Sequence, residues 1–403
     1  MTDGLALPAD TDLSAPASLD GVRRRAWMVA TVGIAASGLG FALDSTQFYR
    51  SYLVAWLFWL GIALGCFALG LLHQLTRGAW GLMVRRILGA ATRTFPLLAL
   101  LFIPIVLGMK ELYLWAQPEV VAHDELIQQK LWYLEPRFFI ARAVFYFAVW
   151  ISIAWVLNRL SLRQDSERSH KLFRRMQFFA GPGLVLYALT ATFASVDWLM
   201  SLDPHWYSSI FGISFIGGHA VSALAWLIPV ALYFTRRPPL EGLLRPRHFH
   251  DYGKLLLAFV MLWTYFQLSQ LIIIWSGNLP EEVKWYLART EGGWKWISIA
   301  LALGHFALPF VLLLSRDLKR DARRLASVAL ILLAMRWLDL YWLAAPAFSH
   351  GDSHAGLSFH WLDLATVFAV GGLWTAFYTQ QLQRRPMLPV FEPYLGEALE
   401  DED

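Results

Sequence analysis

Ten long apolar stretches occupy most of this 403-residue chain, and they leave it few ways to fold. A hydrocarbon core about 30 Å thick takes roughly 20 apolar residues of helix to cross. Inside lipid every backbone N–H and C=O must be satisfied by the segment itself or by a closed sheet, so only helices and barrels span. The stretches run at 26–43, 51–72, 87–109, 136–158, 178–199, 207–234, 253–276, 293–314, 325–343 and 359–382. None alternates apolar and polar positions over ten residues as barrel strands do. The sequence therefore predicts an all-α polytopic membrane protein of ten transmembrane helices.

The loops orient it. Lys and Arg concentrate in the segments that share a side with the termini, from Arg23–Arg25 through Arg174 and Arg175 to Arg384 and Arg385. They number 24 there and 7 in the opposite loops. The positive-inside rule then places both termini in the cytoplasm, in a bacterial inner membrane. The net charge of +4 belongs to this asymmetry and not to nucleic-acid binding. The first stretch resembles a signal peptide's apolar core, but no small-residue cleavage site follows, so a retained first helix is expected. Residues 1–22 read as a disordered tail, 23–385 as one membrane domain, and 386–403 as an acidic cytoplasmic tail (Glu392, Glu397, Glu400).

The single cysteine, Cys66, rules out several chemistries for the chain alone. Iron–sulfur clusters take about four thiolates, and covalent haem takes a Cys-x-x-Cys-His run. No Gly-rich phosphate loop is present either. Any redox centre is expected on other subunits.

Ionisable residues inside lipid cost at least about 2.5–3.5 kcal/mol each and normally face a bundle interior. Here they gather toward the outer ends of the spans: Asp44, Lys110, Glu111, Arg142, Asp197, Asp339 and Asp363, with Arg336 one turn deeper. Arg336 and Asp339 are three residues apart and share a helix face, so an ion pair is available that either clamps two helices or serves function. His219 and His305 lie about 12 residues in from the outer ends of their helices, roughly 18 Å deep. They suit proton hand-over, with axial ligation of a b-type haem as a minor alternative. Gln267, Ser269 and Gln270 offer either interhelical hydrogen bonds or contacts for protons or a quinone headgroup. The inner half reads as sparse, with Asn158 and Tyr233 its main polar groups. His350, Asp352, His354 and His360 have no zinc-like spacing, and a wet outer loop is the plainer reading.

Between the fifth and sixth spans runs Ser-Val-Asp-Trp-Leu-Met-Ser-Leu-Asp-Pro-His-Trp-Tyr-Ser-Ser-Ile-Phe-Gly, residues 195–212. Asp203-Pro204 sets a tight turn, and Trp198, Trp206 and Tyr207 mark an interface. Asp197, Asp203 and His205 are thereby expected to form one outer proton mouth, with Arg336 and Asp339 below it and His219 and His305 deepest. This segment resembles the second NrfD-like membrane subunit of alternative complex III, a bacterial quinol:cytochrome c oxidoreductase. Leu112–Trp115, Asp124–Lys130, Tyr133-Leu134, Phe138–Arg142, Trp275–Glu282, Trp285-Tyr286, His305-Phe306 and Pro309-Phe310 resemble the same family, and the likeness spans about 26–385.

The resemblance implies ten helices whose middle eight form two four-helix bundles, as in polysulfide-reductase membrane subunits. It implies a complex with a paralogous NrfD-like subunit and with periplasmic iron–sulfur and multihaem cytochrome c subunits. Those partners would hold the clusters and c-type haems, and this chain would hold no cofactor beyond a possible quinol or quinone. Asp124, Lys130, Arg142, Asp197, Asp203 and His205 match the family's polar positions. The leading expectation is thus a cofactor-free membrane subunit of a quinol:acceptor oxidoreductase, lending quinol contacts, a periplasm-facing proton path, or both. A proton- or ion-coupled secondary transporter is the alternative, although Pro96, Pro104, Pro182, Pro229 and Pro309 interrupt the spans without the pairing such folds show.

Overall fold

The computed structural model describes residues 12–76, 78–167, 169–349, 357 and 359–389. The protein is an all-α polytopic membrane protein. Among the described residues, ten helices are long and apolar enough to span: α1 (Ser18–Leu43), α2 (Ser45–Thr76), α3 (Arg85–Leu107), α4 (Pro136–Gln164), α5 (His170–Leu202), α6 (Phe211–Phe234), α7 (Pro246–Gly277), α8 (Trp294–Leu314), α9 (Ala322–Phe348) and α10 (Trp361–Gln383). Of the expected acidic tail, only 386–389 falls among the described residues; His350, Asp352 and His354 lie outside them. The first helix begins at Ser18 with Leu19 buried, so it takes in the end of the stretch expected to be a disordered tail.

Helices α2, α3, α4 and α5 pack as one bundle and α6, α7, α8 and α9 as a second, joined where α2 meets α6. Those two helices are the centre of the molecule: 83% of the most apolar window of α2 and 78% of that of α6 are buried, against 22% for α7. Apolar all round, α2 has no polar face to turn outward, as a fully enclosed helix requires. The outer helices α1, α4 and α7 keep broad apolar faces exposed, which in a spanning protein face lipid or other chains.

Helices α1 and α10 lie against each other and against α2. Their backbones approach closely because Gly33 and Gly372 stand at the crossing. A Cβ on Gly372 would come within 2.4 Å of the Ala30 nitrogen, and one on Gly33 within 2.5 Å of the Ala369 nitrogen. Both chain ends share one face: Arg23 Nη1 donates to Gln383 Oε1 at 3.0 Å and Met387 N to Leu13 O at 2.9 Å.

Two spans are irregular where proline removes a backbone donor. Pro96 and Pro104 each begin a new helical piece of α3. In α8, Pro309 has no N–H for the His305 carbonyl four residues back, and the turn before it widens into a π-helix at Ala302–Ala307. Three short helices cover the face away from the termini: Pro118–His123, Glu125–Leu134 and Pro280–Thr290.

Candidate functional site

The expected polar residues divide into three groups. The first belongs to the α2–α5 bundle. Arg142 on α4 grips Asp197 on α5 with two hydrogen bonds, Nε to Oδ2 at 2.9 Å and Nη2 to Oδ1 at 2.8 Å. Tyr146 donates to Oδ2 at 2.7 Å, and Asp197 is fully buried. The Arg142 guanidinium also donates to Tyr133 O at 2.7 Å and lies 3.8 Å from the Tyr133 ring centroid and 4.4 Å from that of Phe138. Both carboxylate oxygens are thus engaged from α4.

The second group sits on the face away from the termini. His205 Nε2 is 2.7 Å from Asp124 Oδ2, and His205 Nδ1 is 4.0 Å from Asp203 Oδ1. Lys130 Nζ donates to Pro204 O at 2.5 Å, which ties the loop to the helix Glu125–Leu134. The anticipated mouth is therefore built from His205, Asp203 and Asp124, while Asp197 turns to α4. Next in sequence, Trp206 stacks on Trp285 with centroids 4.3 Å apart and planes 12° apart. Arg289 braces the helix carrying Trp285. It donates to the carbonyls of Trp285, Trp342 and Leu343 and lies 3.6 Å over the Trp285 ring. Burial lowers its pKa to about 9, while Asp203 acts to raise it.

Under that tryptophan pair lies the third group, inside the α6–α9 bundle. Arg336 Nη1 donates to Asp339 Oδ2 one turn along α9, and both side chains are buried. The guanidinium packs on Gly218 of α6, where a Cβ would fall 2.3 Å from its Cζ, so only glycine leaves it room. Ser214 donates to Gln267 Oε1 at 3.0 Å, and Gln270 meets Tyr286. Ser214, Gln267, Gln270, Arg336 and Asp339 line a cavity beneath Trp285. It has about 10 Å³ of room for the centre of a water molecule, roughly what one water needs. Arg336 Nε, Asp339 Oδ1 and Gln270 Oε1 are buried without a hydrogen-bond partner.

Two buried imidazoles belong to the same bundle, on α6 and α8. His219 Nδ1 is 3.0 Å from the Tyr187 hydroxyl of α5, and its Nε2 is buried and unpartnered. A Cβ on Gly61 of α2 would stand 3.8 Å from that Nε2, so His219 sits at the seam between the bundles. His305, in the π-helical turn, packs on Trp263 with centroids 3.9 Å apart and planes tilted by 43°, and both its nitrogens are unpartnered. Trp263 covers the His305 ring and Phe215 packs at 4.3 Å on that of His219. This packing does not fit a haem between them. The cavity is likewise far below the roughly 300–1,000 Å³ of ligand pockets, so it does not fit a quinone ring.

Asp363 stands apart from all three groups. Its Oδ1 accepts from Ser51 at 2.5 Å and its Oδ2 from His360 N at 2.9 Å, so it caps α10 and pins it to α2. Asp44 likewise caps the start of α2 through Gln47 N at 2.9 Å. The half of the protein nearest the termini is richer than the sequence indicated. Arg85 and Arg86, which read as loop charges, are 8% and 4% exposed inside the bundle. Arg86 pairs with Asp165, and Arg93 bonds Asn158 and the Gln381 carbonyl. Arg289 was hidden in the same way, though Trp285 four residues before it was a legible cue for a cation stacked within a helix. Neither a scan of protein-family models nor a search of curated proteins finds a match to this chain.

Proposed function

We propose that this chain is a membrane subunit of a quinol:acceptor oxidoreductase of the NrfD-like kind its sequence resembles. Its part is to carry protons through the α6–α9 bundle. The terminal face is cytoplasmic on this reading, and Asp124, His205 and Asp203 form the periplasmic mouth. The Trp206–Trp285 pair covers the passage to Gln270, Asp339 and Arg336, with His305 and His219 deeper. Electron-carrying clusters and haems belong to partner subunits, and quinol is held outside the small cavity.

The observation that carries this reading is the incomplete satisfaction of a buried ion pair. Burying a charge pair costs several kcal/mol per ion, and a well-packed apolar pair is often as stable or more so. A buried polar atom left without a protein or water partner costs about 1–3 kcal/mol, and the cavity has room for about one water. Groups relaying protons must be able to exchange hydrogen-bond partners, and Asp339, Gln270 and His305 retain that capacity. Asp197, saturated by Arg142 and Tyr146, does not.

Purification of the tagged chain in mild detergent tests the assignment to a complex; a multihaem cytochrome c and an iron–sulfur protein are expected to accompany it. In that assembly Asp339→Asn is expected to slow quinol oxidation and proton release at least tenfold with subunit composition unchanged. Wild-type rate and proton yield in D339N refute the path. A chain that isolates alone, without colour, and moves a solute in liposomes refutes the complex.

A further inference from the structure

On the terminal half of the protein, away from the proposed path, a groove of about 440 Å³ opens between α3, α4 and the end of α10. That volume falls within the roughly 300–1,000 Å³ of small-molecule sites. Arg93, Arg159 and Arg385 line it, and among the described residues no carboxylate does. Much of the rest of its wall is apolar, from Pro96 and Ile151 to Trp155, which is 58% exposed on the flank of the bundle.

Two of the three cations are held in place by the fold. Arg93 Nη1 donates to Asn158 Oδ1 at 2.9 Å and its Nη2 to Gln381 O at 2.6 Å, while its Nε is buried without a partner. Arg385 Nη1 donates to Asn158 O at 3.2 Å. Asn158 is the shared post that keeps two guanidinium groups together against their repulsion. Arg159 is exposed, and its guanidinium lies 5.0 Å over the Trp155 ring. Asp165, an acid of the same region, is already paired with Arg86.

We propose that this groove binds the phosphate headgroup of an anionic phospholipid in the leaflet on the terminal side. Three clustered guanidiniums with no carboxylate among the described lining residues call for an anion, and guanidinium matches phosphate geometry. The apolar wall continues toward the bilayer, where the first acyl carbons of such a lipid would lie. A neutral quinone needs donors for two carbonyls and gains nothing from the excess positive charge. Basic pockets between helices near the membrane surface recognise anionic headgroups for these reasons.

The test is native mass spectrometry of the full chain in mild detergent. Dioleoylphosphatidylglycerol, dioleoylphosphatidylcholine, inorganic phosphate and decylubiquinone are added separately and in competition. Phosphatidylglycerol is expected to be retained at least fivefold better than phosphatidylcholine. Each arginine removed is expected to weaken that preference about fivefold. Arg159→Gln is the first variant, because Arg159 lies outside the Asn158 network and its loss leaves that bracing intact. A triple change at Arg93, Arg159 and Arg385 follows, and R159Q decides alone if the triple chain misfolds. Equal retention of the two lipids, or an undiminished preference in R159Q, overturns the proposal. Displacement of the lipid by millimolar phosphate reassigns the groove to a free anion, and displacement by decylubiquinone reassigns it to a quinone; either result overturns the lipid assignment.

Discussion

Arg142 meets Asp197 side by side, two nitrogens on two oxygens at 2.9 and 2.8 Å, across the α4–α5 contact. A fork-on-fork pair of this kind fixes geometry as well as energy. The rings of Tyr133 and Phe138 against the guanidinium leave it little access to water. In the sequence Asp197 is a candidate for proton transfer; in the fold both its oxygens are engaged by side chains of α4.

Breaking that pair is therefore expected to cost stability first. Removing one member of a buried pair typically destabilises by about 3–5 kcal/mol. Asp197→Ala is expected to lower the temperature at which the detergent-solubilised chain loses its monodisperse peak. Arg142→Ala with D197A in the same chain is expected to recover part of the loss, because no lone charge then remains. A D197A chain as heat-stable as wild type, but inactive, would return Asp197 to the proton path.

The Arg336–Asp339 pair is expected to behave in the opposite way. Replacing both members with Met and Leu removes two buried charges and their unpartnered atoms, so stability should be unchanged or higher by about 1–4 kcal/mol. Proton-coupled turnover of the assembled complex is expected to be lost. Retained turnover in Arg336→Met with Asp339→Leu makes the pair structural and removes it from the path.

The contrast between these two pairs marks what the sequence could reveal. The ten spans were legible because lipid enforces length and apolarity residue by residue. Arg336 with Asp339 was legible because three residues set neighbours on one helix face. The partner of Asp197 lies 55 positions away in sequence, and only the packing of α4 on α5 selects it. Counting charges in loops also misplaced Arg85, Arg86 and Arg289, since a count does not see a segment fold back into the bundle. The polar character of the terminal half was missed for that reason.

Gly218 offers a way to disturb the buried pair while keeping its charges. A methyl group there would sit 2.3 Å from Arg336 Cζ, and the guanidinium must shift to admit it. Overpacking of this sort costs about 1–3 kcal/mol. Gly218→Ala is expected to fold, to melt a few degrees lower, and to reduce turnover more than Gly217→Ala, whose added carbon meets its nearest neighbour at an ordinary 3.6 Å. Equal effects of the two changes would show that the position of the guanidinium does not matter.

The proposed mouth carries its own pH signature. Asp124 caps the helix Glu125–Leu134, with Oδ1 accepting from Ile127 N at 3.1 Å and Oδ2 facing His205. Burial pushes its pKa up, but the Ile127 N–H and the His205 side chain together outweigh that and hold it below the ordinary 3.8. A carboxyl depressed in the folded state is protonated first in the unfolded chain as pH falls. Its stabilisation is complete above the ordinary value and disappears as pH drops through the lowered one. Hydrogen exchange of residues 125–134 is therefore expected to be steady from pH 6 to about pH 4 and to accelerate below it, once corrected for intrinsic rates. Asp124→Ala is expected to cost about 1 kcal/mol of local protection at pH 6, as loss of an N-cap does, and to abolish the acid step. Lys130, bound to the Pro204 carbonyl, keeps the loop attached in both forms, so the change stays local. An acid step of the same size in D124A assigns it to another carboxylate and leaves Asp124 a simple cap.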